Sequence, residues 1–351
     1  MALKIAIGMS GGIDSSVAAY LLKKQGYNVV GFTLKLCDNS PQCRDLKDIA
    51  YAQRFASEFG IPHYVIDLRK EFRKLVVDYF IDEYIKGRTP NPCVICNKEI
   101  KFVRLFYKLK FLEFDYIATG HYAKIVKNRK GYFLSKAKDI KKSQEYFLAR
   151  IEKELLKKII FPLGNLTKEE VKNIAKEINF SFRRNESQEV CFIKSDEPYY
   201  EFILKNINSN RDFSGNIINK EQEILGHHNC YFKYTIGQRQ GLGISDKTPY
   251  YVISIDAENK NVIVGKKDDV YKTDFIVKNV YWYEKDLPQS IRLKVKIRYN
   301  HKEADAEIRQ KDSKAEIKFL EPQHAITPGQ LAVFYDDKRV LGSGWIESVL
   351  S

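Results

Sequence analysis

Hydrophobic and polar positions follow two regular patterns along the first 120 residues. Short apolar runs predict buried strands, and longer stretches with one apolar face predict amphipathic helices. Strands that alternate with helices are typical of a parallel sheet with right-handed crossovers. The predicted strands are 4–8, 28–34, 63–68 and 115–118, and the predicted helices are 14–25, 45–59, 70–86 and 97–110. The pattern therefore predicts an N-terminal doubly wound α/β domain.

The pattern changes beyond about residue 205, where apolar and polar residues alternate with period two and Gly, Asn and Asp interrupt the runs. Such segments are typical of β-hairpins. They read NCYFKYTIGQRQGLGI, PYYVISIDAENKNVIVG and SIRLKVKIRYN. We expect an α/β domain over 1–200 and two small β-rich domains over 201–274 and 275–351. Before these, Thr167 and Glu170 have the spacing of a helix capping box.

The formal net charge of +14 over 351 residues favours a polyanionic partner, with RNA or DNA ahead of a membrane surface. A lysine-rich composition inherited from a biased genome gives the same charge. The sequence has no secretory signal pattern and no apolar run of the roughly 18–20 residues that span a bilayer. We therefore expect a cytoplasmic protein, whose six cysteines are catalytic, metal-binding or simply buried.

The stretch KIAIGMSGGIDSSVAAYLLKK places a glycine-rich turn between a strand and a helix. Gly8, Gly11 and Gly12 let the backbone turn sharply and approach a ligand, and the amides around Ser10–Ser15 then face an anion. Asp14 is placed where a carboxylate holds Mg²⁺ bound to phosphates. The turn lacks the lysine of a Walker A loop, which disfavours a kinase or GTPase.

The cysteines supply the second candidate chemistry. Cys93 and Cys96 lie in GRTPNPCVICNKEIKF, at the start of a predicted helix whose dipole stabilises a thiolate. A lone C-x-x-C is compatible with zinc binding, redox chemistry or a structural role. Cys191, in RNESQEVCFI, taken alone is typical of a small buried residue. Cys37 and Cys43 are either a redox or metal pair or loop thiols without a role.

Combined, these segments resemble the tRNA-specific 2-thiouridylases, a family of the PP-loop ATP pyrophosphatase superfamily. The matching motifs occur in the order of that family and span nearly the whole chain. They are SGGIDSS, TPNPCVICNKEIKF, DYIATGHYAKI, SQEYFLARI, SQEVCFI, YTIGQRQGLGI and TPGQLAVFY. The resemblance implies a PP-loop α/β fold over the first domain and a tRNA-binding β-barrel as the last.

The resemblance also implies roles for individual residues. ATP would be bound by Gly8, Met9, Ser10, Gly11, Gly12, Ile13, Asp14 and Ser15, with Leu34 and Gly120 on the adenosine side. The target base would be surrounded by Asn91, Pro92 and Cys93. Further tRNA contacts would be His121, Lys142, Ser143, Gln144, Arg298, Tyr299 and Gln330. Cys96 would be the nucleophile, and Cys191 would carry persulfide sulfur.

The implied reaction uses ATP and Mg²⁺ to adenylate the 2-carbonyl oxygen of the wobble uridine in the tRNA anticodon stem-loop. Sulfur from the Cys191 persulfide then replaces the oxygen, AMP departs, and Cys96 and Cys191 are left as a disulfide. A cysteine desulfurase or a sulfur-relay protein would load Cys191. Lys294, Lys296 and Arg298 alternate along one predicted strand, which gives a basic stripe for a nucleic-acid backbone.

Several alternatives stay open. Many family members have aspartate where Cys93 stands, so Cys93, Cys96 and Cys191 could instead hold a 4Fe–4S cluster with one iron available to bind sulfide. A synthetase that adenylates a small molecule would keep the glycine-rich turn but work without the cysteines. A non-catalytic RNA-binding protein would keep the positive charge and turn over no ATP.

Overall fold

The computed structural model of this chain describes residues 2–36, 46–180, 190–194, 196–207 and 211–350. The chain divides into two units, and five parallel strands form the sheet of the first unit. The first unit comprises Met1–Val77, Pro92–Asp196 and Lys338–Val340, and the second comprises Asp78–Asn91, Glu197–Asp337 and Leu341–Ser351. Cys37 and Cys43 lie outside the described residues. Among the described residues, none of the helices has the length and apolar content needed to cross a bilayer.

Of the first seven strands along the described chain, the first four lie at the predicted positions to within one residue, and the last three were not predicted. These seven strands are β1 (Lys4–Gly8), β2 (Asn28–Lys35), β3 (His63–Asp67), β4 (Tyr116–Thr119), β5 (Lys124–Asn128), β6 (Gly131–Ser135) and β7 (Ile159–Ile160). The parallel sheet has the order β3-β2-β1-β4-β7. The chain passes from β1 to β2 on one side and returns to β4 on the other. The carboxyl ends of β1 and β4 therefore flank a topological switch point, where ligands bind in open α/β sheets.

The helices of this region also confirm the predicted doubly wound class. They are α1 (Ile13–Lys24), α2 (Leu46–Glu58), α3 (Arg69–Phe72), α4 (Asp78–Ile85), α5 (Pro92–Ile95), α6 (Leu105–Leu109), α7 (Glu145–Leu148), α8 (Lys153–Leu156) and α9 (Lys168–Glu177). Wider π-helical turns at Arg73–Val77 and Cys96–Arg104 interrupt the two long predicted helices. Of these helices, α4 belongs to the second unit.

One hydrophobic cluster joins β1, α1 and α9. Ile5 and Ile7 of β1 are completely buried, as expected for the central strand of a parallel sheet that is covered on both faces. Val17 of α1 and Val171 of α9 belong to the same buried cluster. The predicted capping box is confirmed: Thr167 accepts a hydrogen bond from the Glu170 amide, and the Glu170 carboxylate accepts one from the Thr167 amide. The position of α9 beside α1 is therefore fixed by its core face and its cap.

The second unit contains a small sheet and a closed barrel. Its further elements are α10 (Tyr199–Asn206), β8 (Gly215–Ile218), β9 (Ile224–His228), β10 (Tyr251–Asp256), β11 (Asn261–Gly265), β12 (Tyr271–Trp282), β13 (Ser290–Lys296), β14 (Ala304–Lys311), β15 (Lys314–His324), β16 (Leu331–Asp336) and β17 (Arg339–Val349). The small sheet has the order β10-β11-β8-β9. The barrel has the order β12-β15-β14-β13-β16-β17, and pairing of β12 with β17 closes it. The predicted β-rich architecture with a terminal barrel is confirmed.

Two local predictions in this unit are wrong. The segment NCYFKYTIGQRQGLGI forms a short 3-10 turn at Tyr231–Lys233 and an irregular loop instead of a hairpin. The reason is that consecutive residues Tyr231 and Phe232 are both buried, which an alternating strand with one solvated face does not allow. The predicted basic strand also ends early, because β13 stops at Lys296 and Arg298 lies in the following turn.

Candidate nucleotide and thiol site

The glycine-rich turn lies at the carboxyl end of β1, as predicted. Gly11 has a φ of +75°, and a Cβ atom there would lie 2.5 Å from the carbonyl oxygen of Asp48. The Ser15 hydroxyl accepts a hydrogen bond from the Ser10 amide at 3.0 Å and donates one to the Gly12 carbonyl at 3.1 Å. The turn is therefore closed on itself just before α1 begins at Ile13, with the helix N-terminus available to an anion.

The neighbouring predicted adenosine residues lie on the same sheet. Gly8 pairs with Phe32 of β2 and with Thr119 of β4. The Met9 carbonyl accepts a hydrogen bond from the Thr33 hydroxyl at 2.8 Å, and Leu34, the next residue of β2, is buried. These contacts hold the start of the turn against β2.

The loop after β4 touches the start of α1. A Cβ atom on Gly120 would lie 2.7 Å from the Ser15 amide nitrogen, so this approach requires glycine. The Tyr122 hydroxyl donates to the Asp14 carboxylate at 2.8 Å, and His121 Nδ1 lies 2.8 Å from the Thr119 hydroxyl. The two loops at the switch point therefore form one surface.

Asp14 is also paired with a lysine that the sequence analysis did not select. The Lys168 ammonium lies 2.8 and 2.9 Å from the two carboxylate oxygens of Asp14, and Lys168 is only 7% exposed. Within the described ranges, no group of three or more His, Cys, Asp or Glu residues could hold a metal ion. Both carboxylate oxygens of Asp14 therefore face a cation of the protein itself, and the Mg²⁺ role expected for Asp14 stays a prediction.

The two neighbouring cysteines lie where the helix is interrupted. Pro92 begins α5, Cys93 is exposed, and Cys96 begins the π-helical turn and is buried. Although part of Cys93 reaches solvent, burial by the surrounding protein raises the pKa of its thiol to about 11, with a smaller increase from Cys96 and an opposing effect of Lys101. The expected thiolate stabilisation by the helix is therefore wrong for Cys93, since burial outweighs it.

Cys191 belongs to the same unit as Cys93 and Cys96. Its neighbour Phe192 packs edge-on against Phe72 of α3, with ring centres 5.8 Å apart. Helix α3 also contacts the π-helical turn that starts at Cys96. The segments of the two predicted catalytic cysteines thus pack on a common helix. The three-thiolate site expected for a 4Fe–4S cluster is not supported, because Cys93, Cys96 and Cys191 form no metal-binding group in the part of the chain described.

Hydrogen bonds link the helical segment 92–104, here called the thiol helix because it carries Cys93 and Cys96, to the glycine-rich turn. Asn97, next to Cys96, donates to the Phe147 carbonyl at 3.3 Å, and the Phe147 amide donates to the Gln144 carbonyl at 3.0 Å. Gln144 and Tyr122 exchange two hydrogen bonds, at 2.7 and 2.9 Å, and Tyr122 reaches Asp14. Phe102 of the thiol helix also packs near His121, with ring centres 6.5 Å apart. One continuous set of contacts therefore joins the two predicted centres.

The predicted tRNA contacts in this unit differ in exposure. Lys142 is exposed, whereas Ser143 is buried, accepts from the Ala137 amide at 2.8 Å and donates to Glu145. Gln144 is hydrogen-bonded to the backbone of Tyr122. Ser143 and Gln144 thus stabilise their own loop, and their contact with tRNA stays a prediction.

Four predicted site residues belong to the second unit. Asn91 is buried, and the Gln330 side chain donates to the carbonyls of Thr89 and Pro90, just before it in the chain. Arg298 donates to the Ile236 carbonyl at 3.1 Å and to the Thr327 hydroxyl. The Lys296 ammonium lies 5.3 Å from the ring centre of Tyr299. The structure therefore groups Gln330 with the segment of Asn91 and gives Arg298 an internal role.

Comparison with known proteins defines the class first. Residues 3–195 match the family model described as a tRNA methyl transferase HUP domain, residues 200–266 match its PRC-barrel domain, and residues 272–346 match an aminomethyltransferase beta-barrel domain. These matches, with the glycine-rich turn at the switch point, define a HUP-domain protein that carries two β modules.

Full-length relatives define the family. The chain is 46% identical to tRNA-specific 2-thiouridylase MnmA 1 of Caldanaerobacter subterraneus, over 98% of each chain. It is 43% identical to MnmA 2 of Thermoanaerobacter sp., over 99% of this chain and 98% of the relative, and 40% identical to MnmA of Geobacter metallireducens over the same shares. The chain belongs to the tRNA-specific 2-thiouridylase family.

The sequence analysis missed Lys168, Tyr122 and Asn97. Signals for two of them were present: Lys168 directly follows the capping residue Thr167, and Tyr122 ends the ATGHY motif. Neither signal indicates contact with Asp14. Lys168 and Tyr122 reach Asp14 only when α9 and the loop after β4 pack beside the start of α1.

Proposed function

We propose that this protein is an ATP-dependent tRNA sulfurtransferase that converts the wobble uridine of the anticodon stem-loop to 2-thiouridine. The observation that carries the proposal is the hydrogen-bonded path from Asp14 through Tyr122 and Gln144 to the helix of Cys96. Adenylation and sulfur transfer must act on one carbon atom, so a nucleotide turn and a thiol helix built into one unit suit that chemistry.

In the first proposed step, the 2-carbonyl oxygen of the uridine attacks the α-phosphate of ATP, and pyrophosphate leaves. The Gly8–Ser15 turn would hold the phosphates, with Leu34 and Gly120 on the adenosine side. Backbone amides at the start of α1 are suited to a departing anion. The uridine oxygen, a poor leaving group, thereby becomes part of AMP.

In the second step, the outer sulfur of a persulfide on Cys191 attacks the activated carbon, and AMP leaves with the oxygen. The Cys96 thiolate then attacks the Cys191 sulfur, which releases the thiocarbonyl and forms a Cys96–Cys191 disulfide. A thiol reductant must reduce this disulfide before the next turnover. A cysteine desulfurase or sulfur-relay protein would supply the persulfide.

Recognition of tRNA would involve both units. Asn91, Pro92 and Cys93 would surround the flipped-out base, since a loop nucleotide is unstacked at little cost. His121, Lys142, Ser143, Gln144, Arg298, Tyr299 and Gln330 would contact the tRNA. The net charge of +14 suits a phosphate backbone. We place the protein in the cytoplasm and propose domains at 1–200, 201–274 and 275–351.

Conversion of ATP to AMP in the presence and absence of anticodon stem-loop RNA tests this function. We expect AMP and pyrophosphate to appear in equal amounts, and RNA to stimulate their release. Raising the salt concentration should reduce the stimulation, because phosphate contacts weaken as counterions accumulate. AMP release that ignores RNA but depends on a small acceptor would favour a small-molecule synthetase. RNA binding without AMP formation would leave a non-catalytic protein.

A further inference from the structure

The glycine-rich turn carries a negative side chain where its proposed ligand is also negative. Asp14 lies in the first turn of α1, so its carboxylate stands beside the amides that would receive phosphate. Two anions at one helix N-terminus repel each other unless a cation lies between or beside them. A pyrophosphate site built on this turn therefore requires a positive group that the turn itself lacks.

Lys168 supplies a cation at this position from 154 residues away in the chain. Its ammonium contacts both carboxylate oxygens of Asp14 and lies 5.8 Å from the ring centre of Tyr122. The Lys168 side chain is 9% exposed, whereas the Asp14 side chain is 31% exposed. Within this ion pair, Lys168 is therefore buried in the protein, whereas Asp14 remains accessible to solvent.

The backbone of Lys168 is fixed independently of this ion pair. The capping box of Thr167 and Glu170 fixes the start of α9, and the Lys168 amide donates to the Asp139 carboxylate at 3.0 Å. Three residues further on, Val171 is buried in the core cluster shared with α1. The ordered start of α9 therefore places Lys168 beside the turn. Little side-chain conformational entropy remains to be lost when a ligand binds.

We propose that Lys168 is the phosphate-binding cation of this site, and that Asp14 and Tyr122 position its ammonium. This inference rests on the proposed ATP chemistry. The turn does without the lysine of a Walker A loop because α9 provides one. The ammonium neutralises Asp14 in the absence of nucleotide and contacts the phosphates of ATP when it binds.

Equilibrium binding of ATP and of adenosine, without RNA, tests the role of Lys168. The two ligands share base and ribose, so a phosphate contact affects ATP alone. We expect Lys168→Gln to weaken ATP binding about tenfold to a hundredfold and adenosine binding less than about twofold. The matched control is Lys172→Gln, an exposed lysine one turn further along α9, which should bind both ligands like the wild type. Unchanged ATP affinity in Lys168→Gln, or an equal loss for both ligands, would overturn the proposal.

A second variant separates the loss of the contact from damage to the fold. Lys168→Gln leaves the Asp14 charge uncompensated, whereas Asp14→Asn combined with Lys168→Gln removes both charges. We expect the double variant to melt like the wild type and still to bind ATP at least tenfold more weakly. Tight ATP binding by the double variant would overturn the proposal. A wild-type protein that binds ATP no better than adenosine would instead contradict the proposed function, and the role of Lys168 with it.

Discussion

The side-chain amide of Gln330 donates a hydrogen bond to the carbonyl oxygen of Thr89 at 2.9 Å. A second bond reaches the Pro90 carbonyl at 3.1 Å, and the Thr89 amide donates to the Pro328 carbonyl at 2.9 Å. The segment that leads to Asn91 is therefore held by the turn before β16. Gln330 thus has a structural role, and its contact with tRNA stays a prediction.

Replacing Gln330 by Glu should destabilise the second unit. The substitution removes two N–H donors and places a carboxylate against two carbonyl oxygens. We expect a loss of about 1–3 kcal/mol in the free energy of unfolding, measured in urea. The matched control is Gln310→Glu, because Gln310 donates one exposed bond to the Pro288 carbonyl. Equal midpoints for the two variants would show that Gln330 does not hold the segment.

Gly11→Ala should destabilise the first unit more than Gly26→Ala. Both glycines have positive φ, +75° and +86°, so each substitution carries the strain of a left-handed residue, about 1–2 kcal/mol. Only at Gly11 would the new Cβ also meet backbone, the Asp48 carbonyl, whereas Gly26 has open space within 4 Å. Thermal unfolding of the two variants measures the difference. A larger loss for Gly26→Ala would contradict the close approach of α2 to the turn.

The Cys93 thiol should stay protonated to unusually high pH. Its pKa is raised to about 11 by burial first and by Cys96 second. Because the folded pKa lies above the ordinary value, the contribution of this thiol to stability is complete below about pH 9 and is lost as the pH rises toward 11. Alkylation of Cys93 by iodoacetamide, followed peptide by peptide with mass spectrometry, should accelerate with a midpoint near pH 11.

The Cys96→Ser variant separates the two causes of this shift. Removing the neighbouring thiol should lower the midpoint for Cys93, and the remaining burial should keep it above about 9. A midpoint at or below 9 in the wild type would show that the thiolate is stabilised, as the helix position alone suggests.

The sequence predicted those features that depend on local pattern. The apolar run of β1 and the capping box at Thr167 fix elements within a few residues, and the structure confirms both. The contact of Lys168 with Asp14 was not predictable, because it depends on the packing of α9 beside α1. The raised pKa of Cys93 was missed for a related reason: helix position is visible in a sequence, and burial by distant segments is not. In the second unit, the hairpin prediction failed because Tyr231 and Phe232 are both buried, which an alternating pattern in the sequence does not reveal.

The yield of 2-thiouridine per AMP, measured by mass spectrometry of digested anticodon stem-loop RNA, tests the central claim most directly. Reactions would contain ATP, cysteine with a cysteine desulfurase, and a thiol reductant. We expect one thionucleoside per AMP from the wild type and none from Cys96→Ser or Cys191→Ser. Cys230→Ser, which alters a buried cysteine of the second unit, should match the wild type. Wild-type yield from Cys191→Ser would contradict the account.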